Sequence, residues 1–206
     1  MSNSSAALPD HLVAMPLDFV PVAAIFDCDG TLADTMPLHY RAWRETLDPL
    51  GCPFPEEQFY AWGGVTAREI ILRLNEQHEM RMDADRVSHE KEMNYRRLIP
   101  GVRGIEPVIA EARRLHGQCP LAVASGGMRP LVEETIRVLG LTELFPVVVG
   151  SGDVERGKPE PDVFLKAAER LGVEAAGCVV YEDAPAGLEA ARRAGMRAVN
   201  VLLYLP

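Results

Sequence analysis

The stretch Val22–Thr31, VAAIFDCDGT, decides how the rest of the chain is read. Val22–Phe26 is an uninterrupted apolar run of the kind a parallel sheet buries on both faces. It stops at Asp27; Asp29 and Gly30 follow, so two carboxylates and a turn-forming glycine stand at the carboxyl end of the expected strand. In an open α/β sheet that edge is where ligands bind.

Outward from this stretch, further apolar runs occur at Leu121–Ser125, Phe145–Val149, Cys178–Tyr181 and Ala198–Leu203. Helical periodicity fills the intervals, over Ile105–His116, Arg129–Leu139, Pro161–Leu171 and Pro185–Ala194. Pro161 and Pro185 suit first-turn positions, and Gly140, Gly172 and Gly195 suit helix stops. A strand followed each time by a crossover predicts an α/β fold with a doubly wound, mostly parallel, Rossmann-like sheet. One interval is too long for a simple crossover. After the first strand come polar, helix-periodic segments at Leu38–Leu50, Pro55–Trp62, Thr66–His78 and Asp83–Ile99. They predict an inserted all-helical cap. The expected division is a partly ordered tail over residues 1–17, a core over 18–36 and 101–206, and a cap over 37–100.

Composition narrows the function. The 206 residues carry 30 acidic against 21 basic side chains, a net charge of −9, which offers no basic field for nucleic acid or an anionic membrane. No apolar run approaches the ~20 residues of a membrane span. The residues before Asp18 bring no positive charge ahead of their apolar patches, which does not read as a signal peptide. Cys28, Cys52, Cys119 and Cys178 are scattered without metal-site spacing and read as reduced thiols. A cytoplasmic protein, a monomer or weak dimer, is expected.

The residues just past each strand form a coherent set. Asp27 and Asp29 follow the first, Ser125-Gly126-Gly127 the second and Glu182-Asp183 the fourth; Gly157-Lys158-Pro159 precedes the third core helix. Four crowded carboxyl groups would hold protons unless a cation neutralised them, and hard oxygen donors suit Mg²⁺. Metal, Lys158 and the Ser125 hydroxyl would then surround an anion with several oxygens, such as a phosphoryl group. Each residue also has a plainer role open to it: a strand end for Asp27 and Asp29, a helix cap for Ser125, Glu182 or Asp183, a solvated loop cation for Lys158.

Together, AAIFDCDGTLADT, VASGG, GKPEPD and YEDAPAGLEAARRAGM resemble, in order, the four motifs of the haloacid dehalogenase superfamily in its phosphatase and phosphomutase branch. The resemblance runs from Val22 to the end of the chain. It implies that Asp27 is the nucleophile that becomes an aspartyl phosphate, and that Asp29 is the general acid and base. It further implies Mg²⁺ on Asp27, the Asp29 carbonyl and Asp183, with Glu182 beside them. Ser125 and Gly126 would bind phosphoryl oxygens, and Lys158 would balance charge. Carbon-attacking dehalogenases lack the second aspartate, so Asp29 points to phosphoryl chemistry. The cap opening DTMPLHYRAW is similar to that of β-phosphoglucomutases and related sugar phosphatases, which implies substrate contacts for His39, Lys91 of KEMNY and, with a one-residue ambiguity, Arg68. The partner expected is a small phosphorylated metabolite, probed by a phosphatase or, as the alternative, a phosphomutase. Trp43 and Trp62 are expected to pack the cap, and Cys28 to point into the core.

Overall fold

A computed structural model describes residue 9, residues 11–63 and residues 65–205. Its sheet is formed by β1 (Ala23–Phe26), β2 (Leu121–Ala124), β3 (Val147–Val149), β4 (Cys178–Glu182) and β5 (Arg197–Asn200). The strands lie in the order β3-β2-β1-β4-β5, and every pair is parallel. The chain steps outward from β1 to β3, then returns to β4 on the other side of β1. The β1–β4 border is therefore the topological switch point, where such sheets open a crevice.

Alternation along each strand feeds two cores. Ala24, Phe26, Val123, Val179 and Tyr181 face α5 (Glu106–Leu115) and α6 (Arg129–Val138); Ala23, Ile25, Ala122, Ala124 and Val180 face α7 (Asp162–Leu171) and α8 (Pro185–Arg193). The helices supply matching stripes, for example Val163, Phe164, Ala167 and Ala168 on α7, which stops where Gly172 turns left-handed at φ 70°. Cys28 is buried in the first core, as its place in the strand predicts, and all four cysteines are free.

Between β1 and α5 lie α1 (Met36–Leu47), α2 (Glu56–Ala61), α3 (Ala67–Gln77) and α4 (Ala84–Arg96). Thr66 and Asp83 accept backbone N–H groups at the starts of α3 and α4, as N-caps do. These helices enclose an apolar core of their own, centred on Trp43, Leu47, Phe54, Ile71, Leu74 and Val87.

One stretch departs from the sequence reading. Past Asn200 the run expected to continue β5 to Leu203 turns into a short 3₁₀ helix, because the Asn200 side chain accepts the Leu202 N–H at 3.1 Å. Residues 1–8 and 10 of the expected tail lie outside the described residues; of the rest, His11–Val13 pair with β5. Val13 N–H donates to Ala198 and Ala198 N–H to His11, both at 2.8 Å. The Leu17 N–H then donates to buried Glu111, which also accepts from Arg114 and from the Tyr181 hydroxyl. Burial would raise the Glu111 carboxyl, but these donors outweigh it and lower it. Among the described residues no helix is long and apolar enough to cross a membrane.

Candidate active site

The carboxyl ends of β1, β2 and β4 converge under the cap on a cavity of about 720 Å³, counting the part open to solvent. Asp27 continues the sheet ladder, its N–H donating to Tyr181 O at 2.9 Å, so its carboxyl is fixed at the switch point. The buried Lys158 ammonium donates to Asp27 Oδ1 at 2.6 Å and to Glu182 Oε2 at 2.7 Å. Glu182 Oε1 accepts the N–H groups of Asp183 and Ala184 at the entrance to α8. Both Glu182 oxygens are thus engaged, and Lys158 is held from two sides.

Small residues make this packing possible. Gly30, at φ +89°, lets the turn after β1 press against Asp183, and the Thr31 hydroxyl ties the two loops by donating to Asp183 Oδ1 at 2.8 Å. On α8, a Cβ at Gly187 would fall on the Glu182 carboxylate.

Asp29 has different company. Its Oδ1 accepts from the Thr35 hydroxyl at 2.7 Å and lies 3.1 Å from His39 Nε2, while Oδ2 accepts from the Ser125 hydroxyl at 3.2 Å. Ser125 Oγ in turn accepts the Gly127 N–H at 2.9 Å. From the cap, Lys91 Nζ lies 2.8 Å from His39 Nδ1 and donates to Glu92 Oε1 at 3.1 Å. An ammonium has only donors, so Nδ1 accepts and Nε2–H points at Asp29. The His39 ring stacks on Tyr95 at 3.7 Å, and Lys91 sits over the Trp43 and Tyr95 rings.

The two aspartates differ in proton affinity as well. Burial, reinforced by Glu182 and only partly countered by Lys158, pushes the Asp27 carboxyl well up. Burial and Glu182 likewise push Asp183 up to about 7. Burial acts on Asp29 too, but the His39 ring, the Thr35 hydroxyl and the Lys91 charge outweigh it and hold that carboxyl below the ordinary range. Burial opposes the Lys158 charge, yet the Asp27 and Glu182 carboxylates prevail and raise its affinity for the proton.

Oxygens of Asp27, Glu182 and Asp183 lie within 4.8 Å of one another. This crowded, all-oxygen set fits a hard divalent cation such as Mg²⁺. With Glu182 occupied by Lys158 and two amides, Asp27 and Asp183 are the side chains best able to turn toward an ion.

Of the residues expected from sequence, Asp27, Asp29, His39, Lys91, Ser125, Gly126, Lys158, Glu182 and Asp183 all line this one cavity. Arg68 does not. It lies near the start of α3, more than half exposed, with Nε 2.8 Å from Asp85 Oδ1, and it borders a neighbouring cavity that Gly126 and Met128 of the core also line. The structure thus sets Arg68 apart from the other residues expected to meet substrate. Trp43 and Trp62 pack against Phe54 as expected, and they also form part of the cavity wall. The sequence reading passed over Thr31 and Thr35, which lie inside the first motif, Gly187 inside the last, and Glu92 beside Lys91.

The chain is similar to known proteins. The family described as Haloacid dehalogenase-like hydrolase matches residues 24–201. The chain is 37% identical over 179 residues to fructose-1-phosphate phosphatase YqaB of Escherichia coli (strain K12), covering 87% of this chain and 95% of that one. It is 30% identical to beta-phosphoglucomutase of Bacillus subtilis (strain 168), over 87% of this chain and 82% of the other. The crystal structure of CbbY from Rhodobacter sphaeroides in complex with phosphate superposes with a TM-score of 0.75 at 31% identity, covering 87% of this chain and 85% of that one. The chain belongs to the haloacid dehalogenase-like hydrolase family.

Proposed function

We propose that this protein is a Mg²⁺-dependent phosphatase that hydrolyses small sugar-phosphate monoesters through an aspartyl phosphate on Asp27. The observation that carries the reading is the pair of aspartates two residues apart in opposite environments. Asp27 is buried on Lys158, and Asp29 is held by Thr35, Ser125 and His39 where a leaving group would lie. The similarity to the fructose-1-phosphate phosphatase supports the substrate class.

In the first half-reaction an oxygen of the Asp27 carboxylate attacks phosphorus. The bond from phosphorus to the leaving oxygen breaks, and that oxygen takes the proton of Asp29. Asp29 is ionised in the resting arrangement, but a phosphate dianion bound alongside opposes its charge, so substrate binding favours the protonated form. In the second half Asp29 removes a proton from water as the water oxygen attacks phosphorus. The acyl–phosphate bond breaks, inorganic phosphate leaves and Asp27 is restored. The Ser125 hydroxyl and the Gly126 N–H bind phosphoryl oxygens, and Lys158, oriented by Glu182, balances the charge that collects on them. Mg²⁺ held by Asp27, Asp183 and the Asp29 carbonyl would neutralise the crowded oxyanions and draw charge from the phosphoryl group. His39 and Lys91 carry the cap's influence to Asp29, so closing the cap completes the acid–base geometry. The free cysteines fit a reducing compartment, the cytoplasm.

The similarity to a beta-phosphoglucomutase favours one second reading, transfer of the phosphoryl group back to the same sugar. That reaction must hold a second phosphate. After Ser125 the chain offers Gly126-Gly127-Met128-Arg129, and Arg129 is half-exposed near Glu133 and Asp153. The test is incubation with fructose 1-phosphate or β-glucose 1-phosphate and Mg²⁺. Release of inorganic phosphate is expected; glucose 6-phosphate formed without it supports the mutase. Asp27→Asn is expected to lower kcat/KM by at least about 10⁴-fold. Undiminished turnover by that variant would remove the nucleophile assignment.

A further inference from the structure

Beyond the reacting end, the cap wall of the cavity is mostly apolar, formed by Met36, Trp43, Phe59, Trp62, Val65 and Ile70. His39 and Lys91 are committed to each other and to Asp29. Glu92 is the polar exception. Its side chain is about 10% exposed, and Lys91 occupies Oε1. Among the described residues Oε2 has no hydrogen-bond partner, yet no side-chain oxygen lacking a partner is sealed from solvent. The open acceptor belongs to a residue that borders both the main cavity and the neighbouring one of about 610 Å³.

We infer that Glu92 determines specificity: its carboxylate accepts hydroxyl donors from an uncharged, polyhydroxylated leaving group and excludes substrates that carry a second anionic group. The inference rests on the phosphatase reading and deepens it by naming the substrate class, monophosphates of neutral polyols. An ionised carboxylate offers acceptors and no donor, so sugar hydroxyls complement it, whereas a phosphate or carboxylate oxygen brings like charge against it. Among the described residues no spare cation offsets that repulsion within the main cavity. Lys158 is shared by Asp27 and Glu182, and Lys91 already donates to Glu92. Arg68 borders the second cavity and not the first, beside Asp85. The two cavities share only Ala67, Glu92 and Gly126, so an anion extending from Asp27 toward Arg68 passes the Glu92 carboxylate.

The test compares kcat/KM for fructose 1-phosphate and fructose 1,6-bisphosphate, with Mg²⁺, in the wild type and in Glu92→Gln. The isosteric amide keeps the volume and an acceptor for Lys91 while removing the charge. The wild type is expected to favour the monophosphate by about 100-fold. The variant is expected to close that ratio by about tenfold or more, chiefly through a lower KM for the bisphosphate. A residue that merely anchors Lys91 would change both substrates by one factor and leave the ratio alone, and that result overturns the inference. So does a wild type that accepts both sugars equally. Glu92→Ala gives the same sign should the amide variant not fold. If the wild type releases phosphate from neither sugar nor from p-nitrophenyl phosphate, the phosphatase reading itself falls and takes the inference with it. Turnover of both sugars at equal efficiency removes the inference alone.

Discussion

On the core side of the cavity each acidic or basic group is fixed by hydrogen bonds. Lys158 bridges Asp27 and Glu182, Glu182 accepts two backbone amides, and Thr31 fastens Asp183 to the turn after β1. On the cap side an aromatic and aliphatic surface carries a single polar line from Glu92 through Lys91 and His39 to Asp29. The core wall rises from strand ends whose positions the sheet dictates, so its groups meet at hydrogen-bond distance and leave no room for added atoms. The cap wall is borne on helices that pack about their own core, so its side chains can differ without disturbing the sheet. On the proposed function, chemistry belongs to the first wall and selection to the second. If that division is right, small changes to the core wall have large effects, and large changes to the outer cap have small ones.

Outside the reacting residues, the largest effect comes from a single methyl group. Gly187→Ala ought to favour α8 by about 1 kcal/mol on helix propensity alone. Its Cβ, however, would land on the Glu182 carboxylate, which orients Lys158 against Asp27. Displacing that pair by about 1 Å is expected to lower kcat by about 10²-fold, with KM changed much less. Steady-state kinetics on the purified variant would check this; a kcat within twofold of wild type would show that the core wall yields more easily than its packing implies.

The crowding of carboxylates predicts a smaller effect with a definite sign. Asp183 holds its proton up to about pH 7, against an ordinary value of 3.8. Between those values the folded, metal-free protein binds more protons at this group than the unfolded chain does, so this contribution to stability falls as pH rises from 4 to 7. Mg²⁺ must displace the same proton. Its half-saturating concentration is expected to rise about tenfold for each pH unit below 7 and to level off above it. Calorimetry with and without Mg²⁺ at pH 6, 7 and 8 should therefore show the metal-induced rise in Tm growing with pH. A rise that shrinks with pH would mean that Asp183 and its neighbours do not hold the ion.

The same contrast explains what could be read from the amino-acid order. Apolar runs bounded by Gly and Pro locate the strands and helices because each run can satisfy its burial in only one way, and the residues after β1, β2 and β4 inherit their place from the sheet. Reading fails where local chemistry overrides pattern. Val201, Leu202 and Leu203 look like more strand, but the Asn200 side chain turns the backbone. Local pattern could not show which part of the tail is ordered, because the pairing of His11–Val13 to Ala198 depends on a strand nearly two hundred residues away. In the cap, His39 and Lys91 were legible only through family resemblance. Glu92 was not, since a glutamate next to a lysine on a helix ordinarily faces water.

Arg68 makes the last and smallest prediction, and it bears on the cap half of the comparison. Its guanidinium is more than half exposed and its partner Asp85 still more so, a geometry in which an ion pair contributes between nothing and about 1 kcal/mol. Arg68→Ala is expected to leave kcat/KM for a sugar monophosphate within about twofold and to move unfolding free energy by about 0.5 kcal/mol or less. Kinetics and denaturant unfolding of one purified variant measure both. A loss of tenfold or more in kcat/KM, with stability intact, would mean that the side chain leaves Asp85 and reaches substrate when the cap closes. Selection would then extend into the neighbouring cavity, and the Glu92 carboxylate would no longer mark its outer limit.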